Sequence, residues 1–305
     1  MKKFLCILVA ILTVSCSKSE EKRVDFLLDW LPNTNHTGLF VALEKGYFKE
    51  LGIDFRILNS TEESTSDLVI NGKAPFGIYF QDYLSHKLAR GAKVTAVAAI
   101  IEHNTAGILA NTKNINDIKS YGTYNYPIEL AIIKQMLNGV KIVPNNDFNL
   151  VASIENKMFD SGFAYYGWDG VLAGDEFGFF YFADFNKKLD FYSPIIIVND
   201  EFLANNKDLV KKVLKAIKKG YIYAINEPVE SAKILIKHAP ELASKKDLII
   251  SSQKYLSSVY ASNPNKWGEI DANRWNGFYE WINEQGILKN PVPLNVGFSN
   301  EYLRD

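Results

Sequence analysis

The residues best equipped for chemistry crowd into one run, DWLPNTNHTG over residues 29–38. Asp29, Trp30, Asn33, Thr34, Asn35, His36 and Thr37 supply a carboxylate, an indole, two amides, an imidazole and two hydroxyls. Such a set can stack a flat ring and offer it hydrogen bonds in both directions. Helix capping accounts for one or two of these residues, not for all of them. Trp30 is expected to stack on the ring. Asn35 and His36 are expected to hydrogen-bond its nitrogens or an exocyclic group, with His36 neutral.

Further candidates sit at other element ends. Trp168 and Asp169 follow the strand-like stretch 162–166, and Asp169 can also cap the helix beginning there. Glu102 ends the strand-like stretch 94–101, where a second carboxylate would favour a basic or amine-bearing ligand. Tyr79 ends a third strand. Tyr192 precedes the β-branched stretch 195–198 and could form an aromatic wall. Trp267, Trp275, Tyr279 and Trp281 recur at helical spacing in the last segment and read mainly as packing. Reactive constellations are missing. His36, His86, His103 and His238 are scattered. The sequence holds no Gly-rich phosphate loop, no His-x-x-x-His pair and no Gly-x-Ser-x-Gly turn. A binding protein rather than an enzyme is expected, with no cofactor and no metal.

These residues need elements to hold them. Residues 24–28 read as a strand and 39–48 as an amphipathic helix closed by Gly46. The run 29–38 therefore lies beyond the carboxyl end of the first strand, where open α/β sheets bind ligands. Strands at 53–58, 76–80 and 94–101 alternate with helices at 64–70 and 82–89, implying a parallel sheet. A second unit follows, with strands near 108–110, 121–124, 141–143, 148–151, 162–166 and 179–182. Helices are expected at 127–137 and 168–173. From residue 200 the pattern is helical, over 209–225, 228–237, 245–260 and 271–285. The expected architecture is α/β with two lobes, each a mostly parallel sheet flanked by helices. Lobe I takes 24–108 and 195–305, lobe II takes 109–194, and two strand-like crossings form the hinge. A cleft between such lobes is a common ligand site, and binding should close it.

Residues 1–16 read as a targeting segment. Lys2 and Lys3 precede an apolar stretch, 4–14, too short to span a bilayer. It ends LTVSC, which resembles a bacterial lipobox, so Cys16 would carry lipid and 17–23 would be a polar tether. The cysteines are two, Cys6 and Cys16, and Cys6 leaves with the leader. The folded body then has neither disulfide nor thiolate nucleophile. A net charge of −1 in 305 residues speaks against nucleic acid. A monomer is expected, held on the extracytoplasmic side of the cell membrane by its lipid.

Several segments together resemble one family. They are the run 29–38, KGYF at 45–48, YYGWDG at 165–170, DFYSP at 190–194, and WG at 267–268. Trp275, Phe278, Tyr279 and Trp281, with FSNEYL at 298–303, complete the set. The chain resembles the periplasmic solute-binding proteins for thiamine pyrimidine precursors, over nearly all of 24–303. The resemblance implies the type II periplasmic binding fold and an ABC permease and ATPase complex as partner. The implied ligand is hydroxymethylpyrimidine or formylaminopyrimidine, with Asp169 accepting from the aminopyrimidine edge. Riboflavin or another heterocycle is the alternative. The family also contains a pyrimidine-synthesising enzyme, which carries a cysteine-rich motif where this chain reads LDFYS at 189–193.

Overall fold

The computed structural model describes residues 21–59, 64–147 and 149–304. The readings of 1–16 as leader and of Cys16 as lipid anchor lie outside those residues.

Two five-stranded sheets carry the molecule. The first starts with β1 (Lys22–Leu27), β2 (Ile53–Leu58), β3 (Phe76–Tyr79) and β4 (Val94–Ala99). The chain then builds the second from β5 (Ala106–Ala110), β6 (Ser120–Thr123), β7 (Lys141–Pro144), β8 (Ser161–Tyr165) and β9 (Gly178–Tyr181). It returns to the first sheet as β10 (Ile195–Asn199). The strand orders are β2-β1-β3-β10-β4 and β7-β6-β8-β5-β9. All five residues of β10, Ile195 to Asn199, are buried, as a strand covered on both faces requires.

The sheets are mostly parallel, but each holds one reversed strand. β1 runs parallel to β2 and β3, and β6 to β7 and β8. β10 is antiparallel to both its neighbours, and so is β5. The cause is connectivity. β3 and β8 end at the face between the lobes, whereas β5 and β10 arrive from the other lobe and start there. They must run the opposite way.

Two local expectations change. Of the strand expected over 148–151, residues 149–151 do not make one: Leu150–Glu155 is a helix, and the Asn149 side chain accepts from Ala152 N. An N-cap there outweighs the β propensity of Val151. The helix expected over 168–173 instead opens with a wide π-type turn, Tyr166–Gly170.

The helices Thr37–Glu44 and Lys207–Asn226 pack against each other. A Cβ on Gly220 would lie 2.0 Å from the Gly38 carbonyl oxygen, so only glycine permits this crossing. The closing aromatics are core: Trp267, Trp275 and Tyr279 are fully buried and Trp281 nearly so. Trp267 stacks on Tyr221 with centroids 4.4 Å apart.

Candidate functional site in the interlobe cleft

The run after β1 is shaped by its own side chains. Asn33 caps a short 3-10 turn, Thr34–His36, its side chain accepting from Asn35 N at 2.9 Å. The Asn33 N–H donates to His36 Nδ1 at 3.2 Å. Nδ1 therefore carries no hydrogen, and Nε2–H donates to Asp29 Oδ1 at 2.7 Å. His36 is wholly buried.

Later helices fasten the run from below. Tyr221 OH donates to Asn35 O at 2.6 Å, and Tyr260 OH to Thr34 O at 2.5 Å. Thr34 Oγ1 meets Ser252 Oγ at 2.6 Å. Ser252 also donates to the Gly167 carbonyl in the turn after β8. The helix Lys246–Val259 thus touches the first lobe's binding run and the second lobe's turn through one hydroxyl.

Between them lies a chamber of about 530 Å³. Asp29, Trp30 and Asn35 line it from one lobe, Tyr165, Trp168 and Asp169 from the other. Trp30 is 52% exposed, unusual for an indole. Burial pushes the Asp169 carboxyl up to about 6, opposed by the Tyr165 N–H at 3.3 Å. Lys245 Nζ sits 5.8 Å from the Trp168 ring.

A second chamber, of about 520 Å³, adjoins the first. Phe80, Tyr124, Phe163 and Tyr165 line both and form the wall between them. Phe80 and Tyr165 lie nearly parallel, 6.5 Å apart. Tyr79, Tyr83 and Tyr126 add rings, and Tyr83 meets Tyr126 edge-on at 5.2 Å. Two acids complete it. Asp82 Oδ1 and Glu129 Oε2 are buried with no hydrogen-bond donor among the described residues. Burial pushes Asp82 up to about 7 and raises Glu129 as well. Glu129 Oε1 accepts from Tyr121 OH at 2.9 Å.

Of the residues singled out in the sequence, Trp30, Asn35, Trp168 and Asp169 meet in the first chamber, and Tyr79 lines the second. Three others are placed elsewhere. His36 lies behind Asp29. Glu102 lines neither chamber, because both its oxygens accept from Ser262. Tyr192 is buried at 1% exposure, its hydroxyl accepting from Asp271 N and its ring under Arg274. Asp82, Tyr83, Tyr126 and Glu129 line the second chamber and are not singled out by the sequence. The aromatic cluster FGIYFQDY at 76–83, at a strand's carboxyl end, was the available signal. Among the described residues no group of His, Cys, Asp and Glu is placed to hold a metal.

This geometry can now be set beside known proteins. The family model described as NMT1/THI5 like matches residues 33–231, more than half of the chain. The chain belongs to the NMT1/THI5-like family. A 4-amino-5-hydroxymethyl-2-methylpyrimidine phosphate synthase of Saccharomyces cerevisiae is 28% identical over 92% of this chain and 88% of its own length. A formylaminopyrimidine-binding protein of Halalkalibacterium halodurans is 25% identical over 98% of both. Among solved structures, the alkanesulfonate-binding protein SsuA of Xanthomonas axonopodis superposes with a TM-score of 0.68 at 10% identity, over 92% of this chain and 99% of that one. The ligand-binding component of an ABC-type import system from Staphylococcus aureus gives 0.66 at 13%, over 92% and 97%. The fold is that of the periplasmic binding proteins.

One expectation is overturned. The chain was read as no enzyme, yet relatives at 28% identity are named as synthases. The inference failed because it equated catalysis with triads, metal pairs and cysteines. A protein titled desulfurization enzyme shares the fold at a TM-score of 0.64, so this framework does not exclude chemistry.

Proposed function

We propose that this family member is the substrate-binding component of an ABC importer and captures a thiamine pyrimidine precursor in the interlobe cleft. The observation carrying this reading is the facing of Trp30 and Asp169 across a chamber whose walls come from both lobes. An indole stacks a pyrimidine, and a carboxylate accepts from its amino edge. The formylaminopyrimidine-binding relative supports the ligand class. On this reading Cys16 carries lipid, the protein is a monomer outside the cytoplasm, and its partner is a permease and ATPase complex. Among the described residues no helix is long and apolar enough to cross a membrane.

Mass spectrometry of ligand released from purified protein tests the reading. Melting curves with hydroxymethylpyrimidine, its formylamino relative, thiamine and riboflavin complete it. Ligand at ~100 times its Kd adds about 2.7 kcal/mol of stability. Stabilisation by riboflavin alone would replace the pyrimidine reading by the riboflavin one. A second reading, synthesis of the pyrimidine, is favoured by the yeast relatives. New pyrimidine appearing in the incubation would establish it.

A further inference from the structure

Two carboxylates enter the first chamber from opposite lobes, Asp29 beyond β1 and Asp169 beyond β8. Both lie close enough to the Tyr165 hydroxyl for their charges to act on it. Asp29 is held by His36, whose Nε2–H occupies Oδ1. The hydrogen bonds among the described residues leave Asp29 Oδ2 without a donor. Among the described residues Asp169 accepts the Tyr165 N–H, on Oδ2, and its Oδ1 accepts from no other residue. Each acid therefore keeps an oxygen for a ligand. The countercharge is thin. Among the described lining residues Lys245 is the cation, and its ammonium sits over Trp168. His36 spends both ring nitrogens on Asn33 and Asp29.

The adjoining chamber also carries two acids, Asp82 and Glu129. Its basic residues stand at the outer end of the helix Gln81–Leu88 and just beyond it. Lys87 is paired with Asp67 at 2.6 Å, Arg90 is exposed, and burial lowers His86.

We propose that the cleft selects a cationic, non-phosphorylated amino-heterocycle, held between Asp29 and Asp169, and rejects the phosphate ester of the same ring. The proposal rests on the binding reading above and deepens it. An amino group beside a protonated ring nitrogen presents two donors in one plane, and a carboxylate accepts both. Such charge-assisted pairs are about twice as strong as neutral ones. A phosphate would instead bring like charge against two acids, which disfavours it. His36 acts as a positioning residue: it fixes the Asp29 carboxylate without touching the ligand.

Titration calorimetry with four probes tests this. They are 4-amino-5-hydroxymethyl-2-methylpyrimidine, its phosphate ester, its 4-oxo analogue, and benzamidine as an unrelated planar amidinium. Wild type is compared with Asp29→Asn and Asp169→Asn, each checked by a melting curve. The amino ring should bind, the phosphate ester and the 4-oxo analogue at least tenfold more weakly. Each Asn variant should weaken the amino ring at least tenfold and narrow its advantage over the 4-oxo analogue. Equal binding of alcohol and phosphate ester would overturn the proposal, as would two folded Asn variants with unchanged affinity. In either case tight binding of the amino ring would leave the precursor reading standing. If benzamidine binds through both carboxylates and no pyrimidine binds, the charge selection stands and the precursor reading falls. Binding of no probe overturns both.

Discussion

His36 donates from Nε2 to Asp29 Oδ1 across 2.7 Å while its other nitrogen accepts the Asn33 N–H. An imidazole so held is a fixed strut. The sequence suggests a ligand contact at this histidine; the fold turns it inward, and the carboxylate in front of it faces the cleft.

Trp30 sits on the cleft surface, so Trp30→Ala should weaken ligand binding and spare the unliganded protein. A stacked aromatic contributes ~0.5–1.5 kcal/mol beyond the area it covers. Calorimetry beside a melting curve reads both effects. A large fall in the unliganded Tm would assign the indole to the core.

Asp82 should make stability depend on pH. Burial raises its carboxyl from 3.8 to about 7 in the folded protein. The folded chain thus holds a proton that the unfolded chain releases earlier, and stability falls as pH rises from about 4 to about 7. The full change is on the order of 4 kcal/mol. In Asp82→Asn that part of the decline should vanish. Melting curves from pH 4 to 8 decide it, and a variant with the wild-type slope would locate the dependence elsewhere.

Gly220→Ala should damage two things together. The added methyl would collide with the Gly38 carbonyl, and overpacking of this kind costs about 1–3 kcal/mol. Gly38 closes the binding run, so ligand affinity should fall with stability. Urea unfolding and calorimetry on one preparation test the linkage. Lost stability with unchanged affinity would show that the run holds its shape without this crossing.

Glu102→Gln should leave ligand affinity unchanged, because Glu102 points at Ser262 and not into the cleft. A modest stability loss, about 1 kcal/mol, is expected for a weakened hydrogen bond. A tenfold loss of affinity would put Glu102 back in the site.

Much of the fold was legible because it follows local rules. Alternating strands and helices predicted an α/β fold of two mostly parallel sheets flanked by helices. Trp30, Asn35, Trp168 and Asp169 come together in one chamber because each follows a strand or sits in the run 29–38. What escaped depends on direction and partners. A sequence does not say which way Glu102 or Tyr192 turns, nor that Ser262 and Arg274 from distant segments claim them. Asp82 stands in the first turn of a helix, and its burial comes from tertiary packing. The reversal of β5 and β10 follows from a crossing between lobes that no local window contains.

The binding run at 29–38 leans on Ser252, which comes 218 residues after Thr34, and on Tyr221 and Tyr260. During synthesis the ribosome releases the recognising side chains early and their supports last. A growing or prematurely ended chain would display the right residues in the wrong shape. On the proposed reading, ligand recognition therefore switches on only after Tyr260 has been made and folded into place.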